Sequence, residues 1–449
     1  MSSLENTFSS RATYQIDVAL VAACIVWLAF FLVYSNTLTI AVSFHGLPGV
    51  ANFFAPGLLC VVALLGYFRY GASIQLSSAF PWLGLFLIAG VFGVLLARQP
   101  PDAFDSWVGV VTEGFLLYVI VVNALRSPEL VNAAVWAVIA ASALMGSIVL
   151  HQFVTSNFDS NYGGFGQIGS ALDRSEESDF RLAGAIGEVN RFAQVLAMAL
   201  PLAMIKCVTV TNRRLRWLAA IAAILTLGGI GVTFSRGVLV GLVPVIGIAF
   251  LLGYIKPRAL IISGLVAVLL VVAVPSYRER VTSLASVANL FSSSDAMRTT
   301  DGALRGRFTS VFTSLLVFAD NPIVGVGPGQ YPSYYQAYST RVGGKLRPYP
   351  REAHSLIPQL LADWGLVGVI GFVGAIAAVL SSMLIRFRQL AAVGDSHQHE
   401  IAALMMALTA YAGTSLFLHF SYIRFFWLIL GLAAASALAR QPNRLSAAN

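Results

Sequence analysis

The chain is dominated by a succession of continuous apolar runs, each roughly 18–22 residues long. At 1.5 Å per helical residue such a run matches the ~30 Å hydrocarbon core of a bilayer. Continuous runs favour helices over a membrane barrel, in which apolar and polar residues would alternate. Composition leaves no soluble alternative: of 449 residues, 57% are hydrophobic and 11% charged, against about 25% charged in an ordinary soluble domain. In lipid every backbone polar group must be satisfied internally, so an all-α polytopic membrane protein is expected, with 1–449 forming a single integral membrane domain. The runs fall near 17–34, 50–68, 80–97, 105–124, 130–152, 183–206, 216–234, 237–254, 258–275, 360–385, 400–418 and 422–440, about twelve in all. The first is too long for a signal-peptide core and reads as a retained helix.

Basic residues give the runs a direction. With the N-terminus placed in the cytoplasm, the inner connections carry Arg69, Arg126, Lys206, Arg213, Arg214, Arg216, Lys256, Arg258, Arg386, Arg388, Arg440 and Arg444. The short outer connections carry little positive charge, as the positive-inside rule requires. Both termini are then cytoplasmic, and the expected location is an inner (cytoplasmic) membrane.

Two outer loops are long. One, near 153–182, is rich in Gly and Ser and acidic, with Asp173, Glu176, Glu177 and Asp179. The other, 276–354, separates the ninth and tenth apolar runs. It is basic, with Arg278, Arg280, Arg298, Arg305, Arg307, Arg341, Lys345, Arg347 and Arg351 outnumbering its acids. Loops longer than about 60 residues escape the positive-inside rule, so topology permits this charge without explaining it. A cationic outer loop suits an anionic substrate such as a diphosphate, or adhesion to anionic lipid headgroups.

His354 stands where the basic loop returns to the membrane, in PREAHSLIPQLLADWGLVG. A histidine with an ordinary pKa of about 6.5 is mostly neutral outside the cytoplasm and can accept a proton from a sugar hydroxyl. Taken alone it reads more readily as a helix cap at the interface. Arg236, in TFSRG at the outer end of the seventh run, could hold a phosphate in bidentate fashion or snorkel to the interface. Arg307 opens GRFTSVFTSLLVFADNPIVGVGPGQY, which predicts an amphipathic helix stopped by Asn321-Pro322 and followed by a Gly-rich turn. Arg181 and Arg191 flank GAIGEVNRF at the outer start of the sixth run. Glu113 and Asp363 are acids within or beside membrane runs; each reads best as the structural partner of an arginine. The three cysteines, Cys24, Cys60 and Cys207, show no pairing pattern and read as small hydrophobes. With no HExxH, DxD, Cys/His cluster or Walker A motif, neither a catalytic metal nor an ATP site is expected.

In order along the chain, GAIGEVNRFAQVLAMALPL, TFSRG, GRFTSVFTSLLVFADNPIVGVGPGQY, AHSLIPQLLADWGLVG and FFWLILGLAAA resemble the motifs of the bacterial O-antigen ligase and polymerase superfamily (WaaL and Wzy type). The resemblance runs from about 180 to 440. Ser355 stands where the family usually has Asn, and Asp363 where Glu is commoner. The resemblance implies a metal-independent, inverting glycosyltransferase of the membrane GT-C type that needs no cofactor. Its donor would be a glycan on undecaprenyl diphosphate, and for a ligase the acceptor would be a hydroxyl on a lipid A–core sugar. Arg236 and Arg307 would bind the diphosphate, with Arg181 and Arg191 beside them. His354 would act on the acceptor, and Asn190, Ser235 and Asp363 would support the site. Within the superfamily the alternatives are a polymerase that joins repeat units on the lipid carrier and an oligosaccharyltransferase that modifies proteins. A twelve-helix transporter is the alternative from another class, but 1–220 and 221–449 show none of the internal repetition such folds usually carry.

Overall fold

The computed structural model describes residues 2–70, 73–169, 181–258, 264–265, 302–342, 351–418 and 423–439. The first half comprises α1 (Ser2–Tyr34), α2 (Thr37–His45), α3 (Phe54–Tyr70), α4 (Phe80–Leu96), α5 (Pro100–Gly109), α6 (Leu117–Ala124) and α7 (Pro128–Val154). Then follow α8 (Val189–Thr209), α9 (Arg213–Val232), α10 (Arg236–Gly241), α11 (Val243–Leu251), α12 (Gly302–Asp320), α13 (Tyr331–Ser339), α14 (Leu356–Ala392), α15 (His397–Ser415) and α16 (Ile423–Leu438). Among the described residues the sheet content is one small antiparallel pairing of β1 (Gln167–Ile168) with β2 (Leu182–Gly184).

The predicted apolar runs coincide with helices, with two exceptions: the sixth opens in β2 and a turn and is helical from Val189, and the ninth, near 258–275, lies almost wholly outside the described residues. Among the described residues, six helices are long and apolar enough to cross a membrane, seven if bent α1–α2 is one span. The protein is thus a multi-pass membrane protein. The gap from about twelve has local causes. α4 has only 17 residues, α10 and α11 are separated at Leu242, and α15 opens on His397, Gln398, His399 and Glu400.

Helix starts follow from capping chemistry. Ser127 caps α7 by accepting from Leu130 N, with Pro128 filling the first turn, where its missing N–H is not needed. Asn212 caps α9 by accepting from Arg214 N and Leu215 N. Two features are absent from the apolar pattern. Asn36, left-handed at φ 60°, breaks the chain after α1, and α2 leaves at 53° to it. Between α5 and α6, residues Val110–Leu116 form a π-helical stretch containing Glu113.

α8 is the central helix. Its apolar window is 78% buried, against 17% for the peripheral Gly49–Phe68. It packs on α7, α9 and α15. Arg191 lies near its first turn and Lys206 near its last; the 15 residues between them span about 22 Å. Lys206 Nζ meets Glu400 Oε1 at 2.6 Å and Asn132 Oδ1 at 2.7 Å, so that end of the bundle is stapled through α7, α8 and α15. Of the residues predicted to face outward, Asn190, Ser235 and, through Glu352, the segment before His354 gather at the Arg191 end.

α14 starts at Leu356, four residues before the predicted run, and is interrupted at Gly365 (φ 62°, ψ −168°). The interruption is filled by the chain that follows α12. Val326 N and Gly327 N donate to Ala362 O and Asp363 O at 2.9 and 3.0 Å, while Leu366 N and Val367 N donate to Pro322 O and Ile323 O at 2.9 and 3.1 Å. The helix exchanges two of its own backbone bonds for four with the turn 322–327, so no peptide group is left unsatisfied at the break. A Cβ at Gly365 would lie 2.3 Å from Ile323 O, which is why only glycine fits.

Candidate functional site

The site is assembled around the first turn of α8. Glu188 caps that helix: its Oε1 accepts from Asn190 N at 3.1 Å and its Oε2 from Arg191 N at 2.7 Å. The cap presents two side chains to different neighbours. Asn190 Oδ1 accepts from Ser235 Oγ at 2.9 Å. Arg191 Nη2 reaches Glu352 Oε2 at 3.0 Å, and its Nε lies 3.7 Å from Glu188 Oε2. Arg191 is thus paired on both sides, with its side chain 17% exposed, and is more than a snorkelling anchor.

Ser235 belongs to the turn between α9 and α10. Phe234 takes a left-handed conformation at φ 52°, and Arg181 Nη2 donates to Thr233 O at 3.1 Å. Arg236 is the first residue of α10. The TFSRG motif is therefore a tight turn fastened to Arg181 and Asn190, with Arg236 leading out of it at the Arg191 end of the bundle.

His354 arrives from the other side. Its backbone is left-handed at φ 54°, a conformation uncommon for a residue with a Cβ and one that tends to mark functional positions. The residues on either side hold it there. Ala353 N donates to Gln359 Oε1 at 3.2 Å, and buried Ser355 is the N-cap of α14 in an extended conformation. Ser355 makes no side-chain capping bond there. Gln359 Nε2 in turn reaches Asp363 Oδ2 at 3.5 Å.

Asp363 corrects an expectation. It pairs with the amide of Tyr331, which Oδ1 accepts at 2.7 Å at the start of α13, and no arginine contact to it is among the described bonds. The helix break explains this: the Gly-rich turn delivers the free N–H of Tyr331 to the carboxylate before any arginine reaches it. Glu113 meets its expectation. Arg424 Nη2 lies 2.9 Å from Glu113 Oε2, and Arg424 Nη1 donates to Thr39 Oγ1 at 2.6 Å.

Three arginines face His354. Burial first, then the positive charges of Arg351, Arg307 and Arg191, push its pKa down to about 4. The imidazole is therefore neutral across the ordinary pH range. Arg307 lies in the first half of α12, which has the expected helical form and ends before Asn321-Pro322. The guanidinium of Arg351 lies on the preceding residue, Gly306: a Cβ there would stand 2.7 Å from both Nη1 and Nη2. Arg351 was not separable by sequence from the other cations of its loop; Pro350 just before it and His354 three residues after it were the local signals. Glu188 and Glu352 were likewise missed, although an acid three residues before Arg191 is a readable cap. Arg278, Arg280, Arg298, Lys345 and Arg347, with the acids at 173, 176, 177 and 179, lie outside the described residues.

Residues 221–373 match a protein-family model described as O-antigen ligase. This supports its membership of the O-antigen ligase/polymerase superfamily. The matched region runs from α9 into α14 and includes Arg236, Arg307, Arg351, His354 and Asp363; Arg181, Asn190 and Arg191 precede it. No curated protein matches the chain.

Proposed function

We propose that this protein transfers a glycan from undecaprenyl diphosphate to a sugar hydroxyl of lipid A–core, at the periplasmic face of the inner membrane. The observation that carries the reading is the grouping of a neutral histidine with Arg191, Arg307 and Arg351 inside or beside the O-antigen ligase match. The proposed frame is a twelve-span GT-C-type membrane enzyme with both termini in the cytoplasm.

In this reading the acceptor oxygen attacks the anomeric carbon as the bond from that carbon to the diphosphate oxygen breaks. The proton of the acceptor hydroxyl passes to His354, and undecaprenyl diphosphate leaves with one more negative charge than it had in the donor. Arg236, Arg307 and Arg191 stabilise that added charge, as positioned cations do for a departing phosphate. Attack from the face opposite the leaving group inverts the anomeric centre. Arg181, Asn190, Ser235 and Asp363 support the elements that carry these groups. The diphosphate also acts on the base: by neutralising the arginines it raises the proton affinity of His354 when the substrate is in place.

The test is transfer by purified protein from lipid-linked donor to lipid A–core, wild type against His354→Ala, Arg236→Ala and Arg307→Ala. Loss of transfer in folded variants is expected; unchanged transfer would end the proposal. A deletion strain separates ligation from polymerisation. Loss of a ligase leaves the core bare while polymer accumulates on the carrier, whereas loss of a polymerase leaves one repeat unit on the core.

A further inference from the structure

At the Lys206 end, away from His354, a cavity of about 430 Å³ lies between three elements. Its walls are Ser73–Leu76 before α4, Arg386 and Gln389 late in α14, and Ala437–Ala439 at the end of α16. Two polar side chains in this wall are incompletely satisfied. Among the described residues, Arg386 Nε and Gln75 Oε1 are buried with no hydrogen-bond partner. Both are held in place by other atoms. Arg386 Nη2 donates to Ala439 O at 3.4 Å, and the backbone of Gln75 exchanges bonds of 2.8 and 3.2 Å with the side chain of Asn123. Both residues line the cavity; one orphan is a cationic donor and the other an acceptor. A ligand that relieves both must carry an anionic acceptor and a separate donor. Beside them Ile74 and Leu76 are 68% and 60% exposed, an apolar border suited to acyl chains.

We propose that this cavity binds the headgroup of a glycerophospholipid. Its phosphate sits on Arg386, its headgroup hydroxyl or ammonium on Gln75, and its acyl chains along Ile74 and Leu76. The proposal is independent of the glycan-transfer reading, since it uses none of the residues around His354.

The full-length protein, stripped of lipid in detergent, is titrated with phosphatidylglycerol, phosphatidylethanolamine or phosphatidylcholine and read by native mass spectrometry. The first two carry a headgroup donor, and choline carries none. Expected is one retained lipid per chain, with phosphatidylcholine about tenfold weaker, the cost of leaving one polar group without a partner. Arg386→Gln should weaken all three lipids, and Gln75→Leu should abolish the preference against phosphatidylcholine. Arg388→Gln, at an exposed neighbouring position, should change neither. Equal retention by Arg386→Gln and wild type overturns the proposal. So does equal binding of the three lipids by wild type, or binding of glycerol phosphate as tight as that of the lipids, which would make the cavity a site for soluble phosphate esters. Should Arg386→Gln fail to fold, the loss of headgroup preference in Gln75→Leu decides alone.

Discussion

Arg191 Nη2 lies 3.0 Å from Glu352 Oε2, joining residues 161 positions apart in sequence. The contact ties the first turn of the central helix to the segment that presents His354. Glu352 thereby offsets one of the three positive charges that face the histidine. Glu352→Gln should leave Arg191 uncompensated and lower the proton affinity of His354 further. The acid limb of the transfer rate should then move to lower pH. In a double-mutant cycle with Arg191→Ala, scored by thermal unfolding, the pair should show a coupling of about 1 kcal/mol. Strict additivity would show that the contact carries no energy.

The pH response of His354 has a definite sign. Its folded pKa is pushed down to about 4, whereas in the unfolded chain it titrates near 6.5. Between these values the unfolded state binds the proton and the folded state does not. Stability contributed by this site is therefore complete above about pH 6.5 and falls as pH drops toward about 4. Between pH 7 and 5 the wild type should lose more melting temperature than His354→Gln. In kinetics, the acid limb of kcat/KM should lie well below 6.5, and that of kcat should lie higher because bound diphosphate neutralises the arginines. Coincident limbs would argue against a diphosphate beside this histidine.

Gly306→Ala should separate stability from activity. The new Cβ would meet the Arg351 guanidinium at 2.7 Å and displace the flexible end of that side chain. Alanine in a helix is favoured over glycine by about 0.5–1 kcal/mol, so the melting temperature should hold or rise. Transfer should fall about tenfold if Arg351 contributes one charge-assisted contact to the substrate. Full activity with the melting temperature raised would remove Arg351 from the site.

Asp363→Asn keeps an oxygen for the amide of Tyr331, and Asp363→Ala does not. The asparagine variant should fold and retain transfer. The alanine variant should lose about 1–3 kcal/mol, the cost of an unsatisfied buried N–H. Loss of transfer in the asparagine variant at full stability would instead assign the carboxylate a part in the chemistry.

Gly365→Ala should be among the most damaging single changes, by more than about 3 kcal/mol, since it combines a left-handed backbone with a collision against Ile323 O. Gly84→Ala, where a Cβ meets nothing within 4 Å, serves as its control. Equal yields of the two in the membrane would contradict the tight seating of the turn in the helix break.

The helical runs were legible because lipid imposes one rule on every span, and long apolar stretches obey it. The left-handed turn at Phe234 and the break at Gly365 were not, because both depend on bonds to distant chain. Asp363 illustrates the limit. An acid in a membrane helix suggests a cation, and nothing local reveals that a backbone amide 32 residues earlier will take its Oδ1. Arg351 shows the reverse case: its residue type was plain, but its place against Gly306 comes from the packing of α12 on the loop.

The bonds from Tyr331 to Asp363 and from Ala353 to Gln359 have a consequence for variation. The chain departs at 331 and returns at 353, and both ends are moored to neighbouring turns of one helix. The two bonds close the intervening chain into a loop. Doubling the length of such a loop costs only about 0.6 kcal/mol in closure entropy. Added length between 342 and 351 is therefore cheap, while Arg351 and Glu352 at its returning end stay fixed beside the histidine, so this stretch can vary in size without moving the site.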